Sequence, residues 1–199
     1  RDDLVTHVYD VTYGVIKPSD NLVVIDDSIV RGTTLQKSIL KMLDCLGPKK
    51  IVIVSSAPQI RYPDCYGIDM ARLEEFIAFK AALALHREQE TYNNVINSIY
   101  QKCVASFDSR EDTPPNHVKE IYAPFTDDLI SKKIGQILKS EGINAMVEVL
   151  FQKIEDLHEA CPKNLGDWYF SGDYPTSGGH RVVNRAFMNF YEGKYVRAY

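Results

Sequence analysis

Two adjacent carboxylates, Asp26 and Asp27, follow an apolar run from Leu22 to Ile25 and precede Ser28, Gly32, Thr33 and Thr34. Neighbouring carboxylates at the end of a strand suit two tasks. They hold a divalent cation, for magnesium partly through water, and they accept hydrogen bonds from vicinal hydroxyls such as those of a ribose. The stretch after them suits the opposite charge. Backbone N–H groups from Ser28 to Thr34, the hydroxyls of Ser28, Thr33 and Thr34, and a helix N-terminus together form a cradle for phosphate. Gly32 lets the backbone approach the anion closely. The stretch therefore reads as a sugar-phosphate site, with carboxylates on the ribose hydroxyls and the loop on the phosphate.

Other readings of the stretch fit less well. It lacks the G-K-[ST] of a Walker A loop, and the carboxylates come first. An acidic helix cap needs one such residue, not two carboxylates with a glycine and several hydroxyls. Receiver domains also end an apolar strand in paired acids, but S-I-V-R-G-T-T has the wrong character for them. The remaining chemistry is scattered. Cys45, Cys65, Cys103 and Cys161 show no C-x-x-C spacing and read as reduced thiols of a cytoplasmic protein. His7, His86, His117, His158 and His180 show no H-x-x-x-H pair and read as surface or capping residues.

Placing the carboxylates requires a strand, a loop and a helix in that order. Leu22 to Ile25 reads as a short, fully buried strand of a parallel sheet covered on both faces. Lys17 to Asn21 is a turn before it. From Thr33 or Thr34, apolar residues at 35, 39, 40, 43 and 46 recur at helical spacing, and Gly47-Pro48 ends that helix. Ile51 to Val54 is a second buried strand. Residues 22–54 thus form a βαβ unit, whose strands are parallel with a right-handed crossover. Ligands of open α/β sheets bind at the carboxyl ends of the strands, where Asp26 and Asp27 fall.

A long loop over 55–67 leaves the same edge. Further helices are expected from Met70 toward Glu90, over 92–107, from Leu129 to Leu138 behind Thr126, and through Ile154, Leu157 and Ala160. Strands are expected within 4–16 and from Met146 to Leu150, a loop over 109–116, and an irregular aromatic tail over 165–199.

The 199 residues are 45% hydrophobic and 25% charged, ordinary for a globular protein with a packed core. A net charge of −4 gives no electrostatic footprint for nucleic acid. No apolar run approaches the roughly 20 residues that span a bilayer, so no membrane role is expected. Arg1-Asp2-Asp3 opens the chain with charge and no apolar region follows, so no secretory signal is expected. The opening residue is not Met, which fits a piece of a longer protein.

With these residues in view, Asp26 to Thr34 (DDSIVRGTT) resembles the phosphoribosyl pyrophosphate (PRPP) signature of type I phosphoribosyltransferases. Its S-I-V-R-G form is similar to that of the amidophosphoribosyltransferase family. A second run, Ala57-Pro58-Gln59-Ile60-Arg61-Tyr62-Pro63 with Tyr66-Gly67-Ile68-Asp69-Met70, resembles that family's segment after the next core strand. A weaker third match is Phe170 to Thr176, similar to the family's F-x-G-x-Y-P-T. The first two together narrow the resemblance to this family.

The resemblance implies an α/β fold: part of a type I phosphoribosyltransferase fold, a parallel Rossmann-like sheet flanked by helices. Residues 1–79 would be the C-terminal half of its core, 80–126 a helical insertion, and 127–199 C-terminal helices and a tail packing on the core. It implies a pentosyltransferase: PRPP, glutamine and water give 5-phosphoribosylamine, glutamate and pyrophosphate, opening purine synthesis. Asp26 and Asp27 would bind ribose hydroxyls and Mg²⁺ and act in catalysis. Ser28, Ile29, Val30, Arg31, Gly32, Thr33 and Thr34 would hold the 5-phosphate. Tyr66, Gly67, Ile68, Asp69 and Met70 would line the pocket. The partner would be ammonia from a glutaminase domain that this chain lacks, in a cytoplasmic enzyme that is a homo-oligomer at full length. Where some members carry iron–sulfur cysteines, residues 165–169 hold none, so no cluster is expected. Without the earlier transferase loops, the chain alone is expected to be inactive. A different class, a non-catalytic PRPP-binding regulator of the same fold, would need a basic DNA-binding module, and the charge supplies none.

Overall fold

The computed structural model describes residues 14–67, 70–109, 114–163 and 166–198. The strand expected within 4–16 falls outside these residues, apart from 14–16, which form a turn. The turn before the first strand is closed by Asp20. Its N–H donates to Lys17 O at 2.9 Å, and its carboxylate accepts the Lys17 N–H at 2.9 Å.

Among the described residues, three strands form one parallel sheet in the order β1 (Asn21–Asp26), β2 (Lys50–Ser55), β3 (Met146–Phe151). Their register is in step: Asp26 pairs with Ser55, which pairs with Phe151. The fold is thus the expected α/β arrangement of a parallel sheet with flanking helices. Burial corrects one expectation. Among the described residues β1 is an edge strand, and only its Leu22, Val24 and Asp26 point to the covered face. Val23 and Ile25 are 63% and 75% exposed. A run of apolar residues does not report whether one face or two will be covered; in-register pairing with β2 and β3 decides it.

The β1–β2 crossover begins with a π-helical turn, Leu35–Ile39, running into α1 (Leu40–Asp44). Gly47, at φ +71°, lets the chain turn after it, as the Gly-Pro signal predicts. Asp44 then reaches across to the start of β3, accepting N–H bonds from Asn144 and Ala145 at 3.0 and 2.8 Å.

After a 3₁₀ turn, Leu73–Glu75, come α2 (Ile77–Glu88) and α3 (Tyr92–Asp108). The helix expected from Met70 therefore starts seven residues late, because Phe76 sits in extended backbone at its entry. α4 (Lys119–Tyr122) precedes α5 (Asp127–Leu138), whose Thr126 side chain caps Leu129 N–H at 3.2 Å. α6 (Ile154–Ala160), α7 (Trp168–Ser171) and α8 (Ser177–Tyr191) complete the fold.

The tail is more regular than its composition predicts. α8 runs for 15 residues, capped by Thr176 and burying Val183, Ala186 and Phe187 against α3. Its glycine-rich start lowers intrinsic helix propensity, and tertiary burial overrides it. His86 corrects another expectation. It is 1% exposed, with Nδ1 at 2.9 Å from Thr91 Oγ1 and Nε2 at 2.8 Å from Ile121 O.

One core joins these elements. Leu40, Ile51, Ile53, Phe79, Ile99, Ile130, Ile134 and Phe187 are each fully buried within it. Among the described residues, no helix is long and apolar enough to cross a membrane, and the four cysteines are free.

Candidate functional site

Asp26 is the last residue of β1, so the paired carboxylates stand at the carboxyl edge of the sheet, as predicted. Each is folded back on the chain. Asp27 N–H donates to Asp26 Oδ1 at 3.1 Å, and Ser28 N–H donates to Asp27 Oδ1 at 2.8 Å. Partial burial raises the Asp26 pKa above the usual carboxylate range, and a hydrogen bond and repulsion from the Asp27 carboxyl add to the shift. Two carboxyl groups are thus held close enough to disfavour a second negative charge.

The loop that follows divides its work between side chains and backbone. Ile29 is 3% exposed and Val30 packs on the same core, so their side chains anchor the loop and leave only their backbone for a ligand. Thr33 and Thr34 are exposed where the helical run begins, and Gln36 N–H closes its first turn on Gly32 O at 2.9 Å. Gly32 sits at φ +69°, backbone that favours glycine. A Cβ there would also lie 2.6 Å from Ile77 Cδ1 and 2.7 Å from Leu138 Cδ2. The glycine therefore fits the loop against α2 and α5, a demand separate from approach to an anion.

The segment that carries the second signature, 56–77, meets the first at both of its ends. Ser56 donates both its N–H and its Oγ–H to Asp26 O, each at 2.9 Å. At the far end, Ile77 N–H donates to Val30 O at 2.8 Å. Glu75 Oε2 accepts from Arg31 Nε at 2.7 Å and from Nη2 at 2.6 Å, while Glu75 Oε1 pairs with Arg72. Spacing alone did not point to Ser56 or Glu75. Glu75 lies 44 residues from its partner, and such pairs leave no local signal.

Between those ends, the loop is gripped from two sides. Buried Gln59 donates to Asp127 O and to Ser131 Oγ, both at 2.8 Å. Arg61 bonds the Gln59 Oε1 and lies over the Tyr122 ring, 5.2 Å from its centroid. From the tail, Tyr169 O accepts N–H bonds from Arg61 and Tyr62 at 2.8 and 3.1 Å. Asp64, fully buried, accepts from Tyr169 Oη at 2.6 Å and from Tyr66 N–H at 2.9 Å. Tyr174 Oη donates to Pro63 O. The third motif thus packs directly on the second. Of the pocket-lining candidates, Tyr66 and Gly67 are exposed and Met70 is half-buried, whereas Ile68 and Asp69 lie outside the described residues. Tyr66 meets Trp168 edge-on at 5.7 Å.

A groove of about 860 Å³ runs along β3 and α5, lined by Gln59, Asp127, Ser131, Met146 and Leu150 among others. It flanks the sheet edge opposite β1 and takes no wall from 26–34. The carboxylates and loop instead form an open ledge. They unite two acids, a run of backbone amides and two exposed hydroxyls, a set that suits a polyhydroxylated phosphate ester.

No family model matches the chain. Curated relatives match part of it. An amidophosphoribosyltransferase of Haemophilus influenzae is 52% identical over 59 residues, 30% of this chain and 12% of that protein. The Escherichia coli amidophosphoribosyltransferase is 50% identical over 58 residues, 29% of this chain and 11% of its own. That of Schizosaccharomyces pombe is 44% identical over 59 residues, covering 30% and 11%. The matches therefore span 11–12% of these relatives' length, and over that stretch the chain resembles amidophosphoribosyltransferases.

Proposed function

We propose that the chain carries the PRPP-binding ledge of an amidophosphoribosyltransferase, the activity that makes 5-phosphoribosylamine from PRPP and glutamine. One observation carries the reading: paired carboxylates and an amide-rich loop share the carboxyl edge of a parallel sheet, in a chain with a stretch up to 52% identical to such enzymes. On this reading Asp26 and Asp27 take the ribose hydroxyls, and the backbone of 28–34 with the Ser28, Thr33 and Thr34 hydroxyls takes the 5-phosphate. Tyr66 to Met70 line the side from which nitrogen arrives.

The carboxyl pair fits a magnesium ion. Hard oxygen donors with room for substrate oxygens are what Mg²⁺ accepts, and a cation there offsets the repulsion between the two carboxylates. Bound there, the cation would supply positive charge that favours departure of pyrophosphate. The chain's own part is to orient the ribose and, through its carboxylates, to favour positive charge developing on the ring. Ammonia comes from a glutaminase domain elsewhere in the enzyme, which is cytoplasmic and homo-oligomeric. Residues 80–126 are an insertion in the transferase domain.

Calorimetry of the chain with PRPP and Mg²⁺ tests the reading. Binding is expected in the wild type and absent in Asp26→Asn/Asp27→Asn. Equal binding by the double variant sinks the site assignment.

A further inference from the structure

The geometry points to Glu75 as a positioning residue for the phosphate loop, acting through Arg31. This inference rests on the PRPP reading above. The loop's centre, Val30 to Gly32, is held from one short segment, Glu75 to Ile77. Ile77 N–H holds the Val30 carbonyl, Ile77 Cδ1 fills the space over Gly32, and Glu75 grips Arg31 through two nitrogens. These contacts act on three consecutive residues whose amides belong to the cradle. Of the three, the ion pair is the one made entirely by side chains near the surface, with Arg31 38% and Glu75 18% exposed.

Glu75 is itself held in place. Arg72 pairs with its second oxygen, and the 3₁₀ turn Leu73–Glu75 is pinned by fully buried Leu73 and Phe76. A carboxylate fixed on a buried turn and gripping Nε and Nη2 sets both the position and the direction of the guanidinium. With its charge matched by Glu75, Arg31 serves the phosphate by shaping the loop around it rather than by reaching for it. A loop pre-shaped in this way binds its ligand without first losing conformational freedom.

The alternative predicts the opposite sign. If Arg31 were a phosphate ligand restrained by Glu75, removing Glu75 would release it and tighten binding. Titration calorimetry of the full chain with PRPP and Mg²⁺ separates the two. Glu75→Ala and Arg31→Ala are each expected to weaken binding roughly fivefold, the scale of one lost hydrogen bond. The double variant should lose less than the two single effects combined, since both remove the Arg31–Glu75 contact, while Glu75→Ala also removes the pair with Arg72. Glu75→Gln, which keeps length and loses charge, should shift binding in the same direction and serves if the alanine variant folds poorly.

Hydrogen exchange gives a readout that general destabilisation would not imitate. In Glu75→Ala, the amides of Ile77 and Gln36 should exchange faster while those of β2 and α5 keep their wild-type rates. Unchanged or tighter PRPP binding in Glu75→Ala, with binding still abolished in Asp26→Asn/Asp27→Asn, overturns the role of Glu75 and leaves the PRPP reading standing. Failure of the wild type to bind PRPP overturns both.

Discussion

Tyr169 donates a 2.6 Å hydrogen bond to the carboxylate of Asp64, a fully buried residue 105 positions earlier in the chain. The bond joins the residue just before the tail motif to the middle of the loop that leaves β2. A buried carboxylate is costly unless its oxygens are bonded, so Tyr169 and the Tyr66 N–H at 2.9 Å both act to keep Asp64 where it is.

Tyr169→Phe removes that donor without changing the ring's packing. The expected loss is about 1–3 kcal/mol in urea denaturation. The same contact, after burial, pushes the Tyr169 pKa up to about 12. A phenol raised in the folded state lends stability that is complete below its unfolded pKa, about 10, and is lost as pH rises toward about 12. Ultraviolet titration should therefore show Tyr169→Phe missing a phenolate transition near pH 12, not near 10.

Asp26 has the opposite consequence for stability at neutral pH. Its raised pKa means the folded chain holds that proton more tightly than the unfolded chain. Stability is therefore lost as pH climbs from the ordinary value of 3.8 through the raised one. Asp26→Asn removes this cost, so its melting temperature at pH 7 should equal or exceed that of the wild type while PRPP binding falls. Calorimetric melting at pH 7 and pH 4 checks the sign: the advantage should shrink at the lower pH.

Gly32 and Gly47 both lie at positive φ, and only one is crowded. A Cβ at Gly47 meets nothing within 4 Å, whereas one at Gly32 meets Ile77 and Leu138 below 3 Å. Gly47→Ala should cost the backbone term alone, about 1–2 kcal/mol. Gly32→Ala should cost a further ~1–3 kcal/mol for overpacking and should also weaken PRPP binding. Chemical denaturation of the two variants side by side isolates the packing term.

The cysteines should separate by reactivity. Cys45 and Cys161 are exposed, whereas burial pushes the Cys103 thiol up to about 12. Cys65 is half-buried and its pKa is raised by burial. Brief iodoacetamide treatment at pH 8 should label Cys45 and Cys161 first, Cys65 more slowly, and Cys103 only after denaturation. Peptide mass mapping reads the order.

Much of the arrangement around Asp26 was legible because its signals are local. An apolar run before two acids, helical spacing after Thr33, and Gly47-Pro48 as a stop place strand, loop and helix within a residue or two. Tertiary packing decided the rest. The exposure of Val23 and Ile25 depends on what covers a sheet, which four apolar residues do not encode. α8 forms despite Gly178 and Gly179 because Val183 and Phe187 find a buried face. Arg31–Glu75 and Asp64–Tyr169 join residues 44 and 105 positions apart, and no periodicity within either segment anticipates them.

The uncovered side of the sheet has a practical consequence. Val23 and Ile25 share it with Val52, Val54, Met146 and Leu150, and with Asn21, Lys50 and Glu148, by the in-step register of the three strands. Met146 is 61% exposed and Leu150 47%, so the face shows water-facing hydrocarbon on its outer strands, interrupted by the Lys50–Glu148 ion pair. Exposed hydrocarbon grouped on a sheet face favours association. Handled alone, the chain should behave as a sticky colloid: it should brighten the dye ANS while still folded, and its scattering should rise with concentration and with added sulfate.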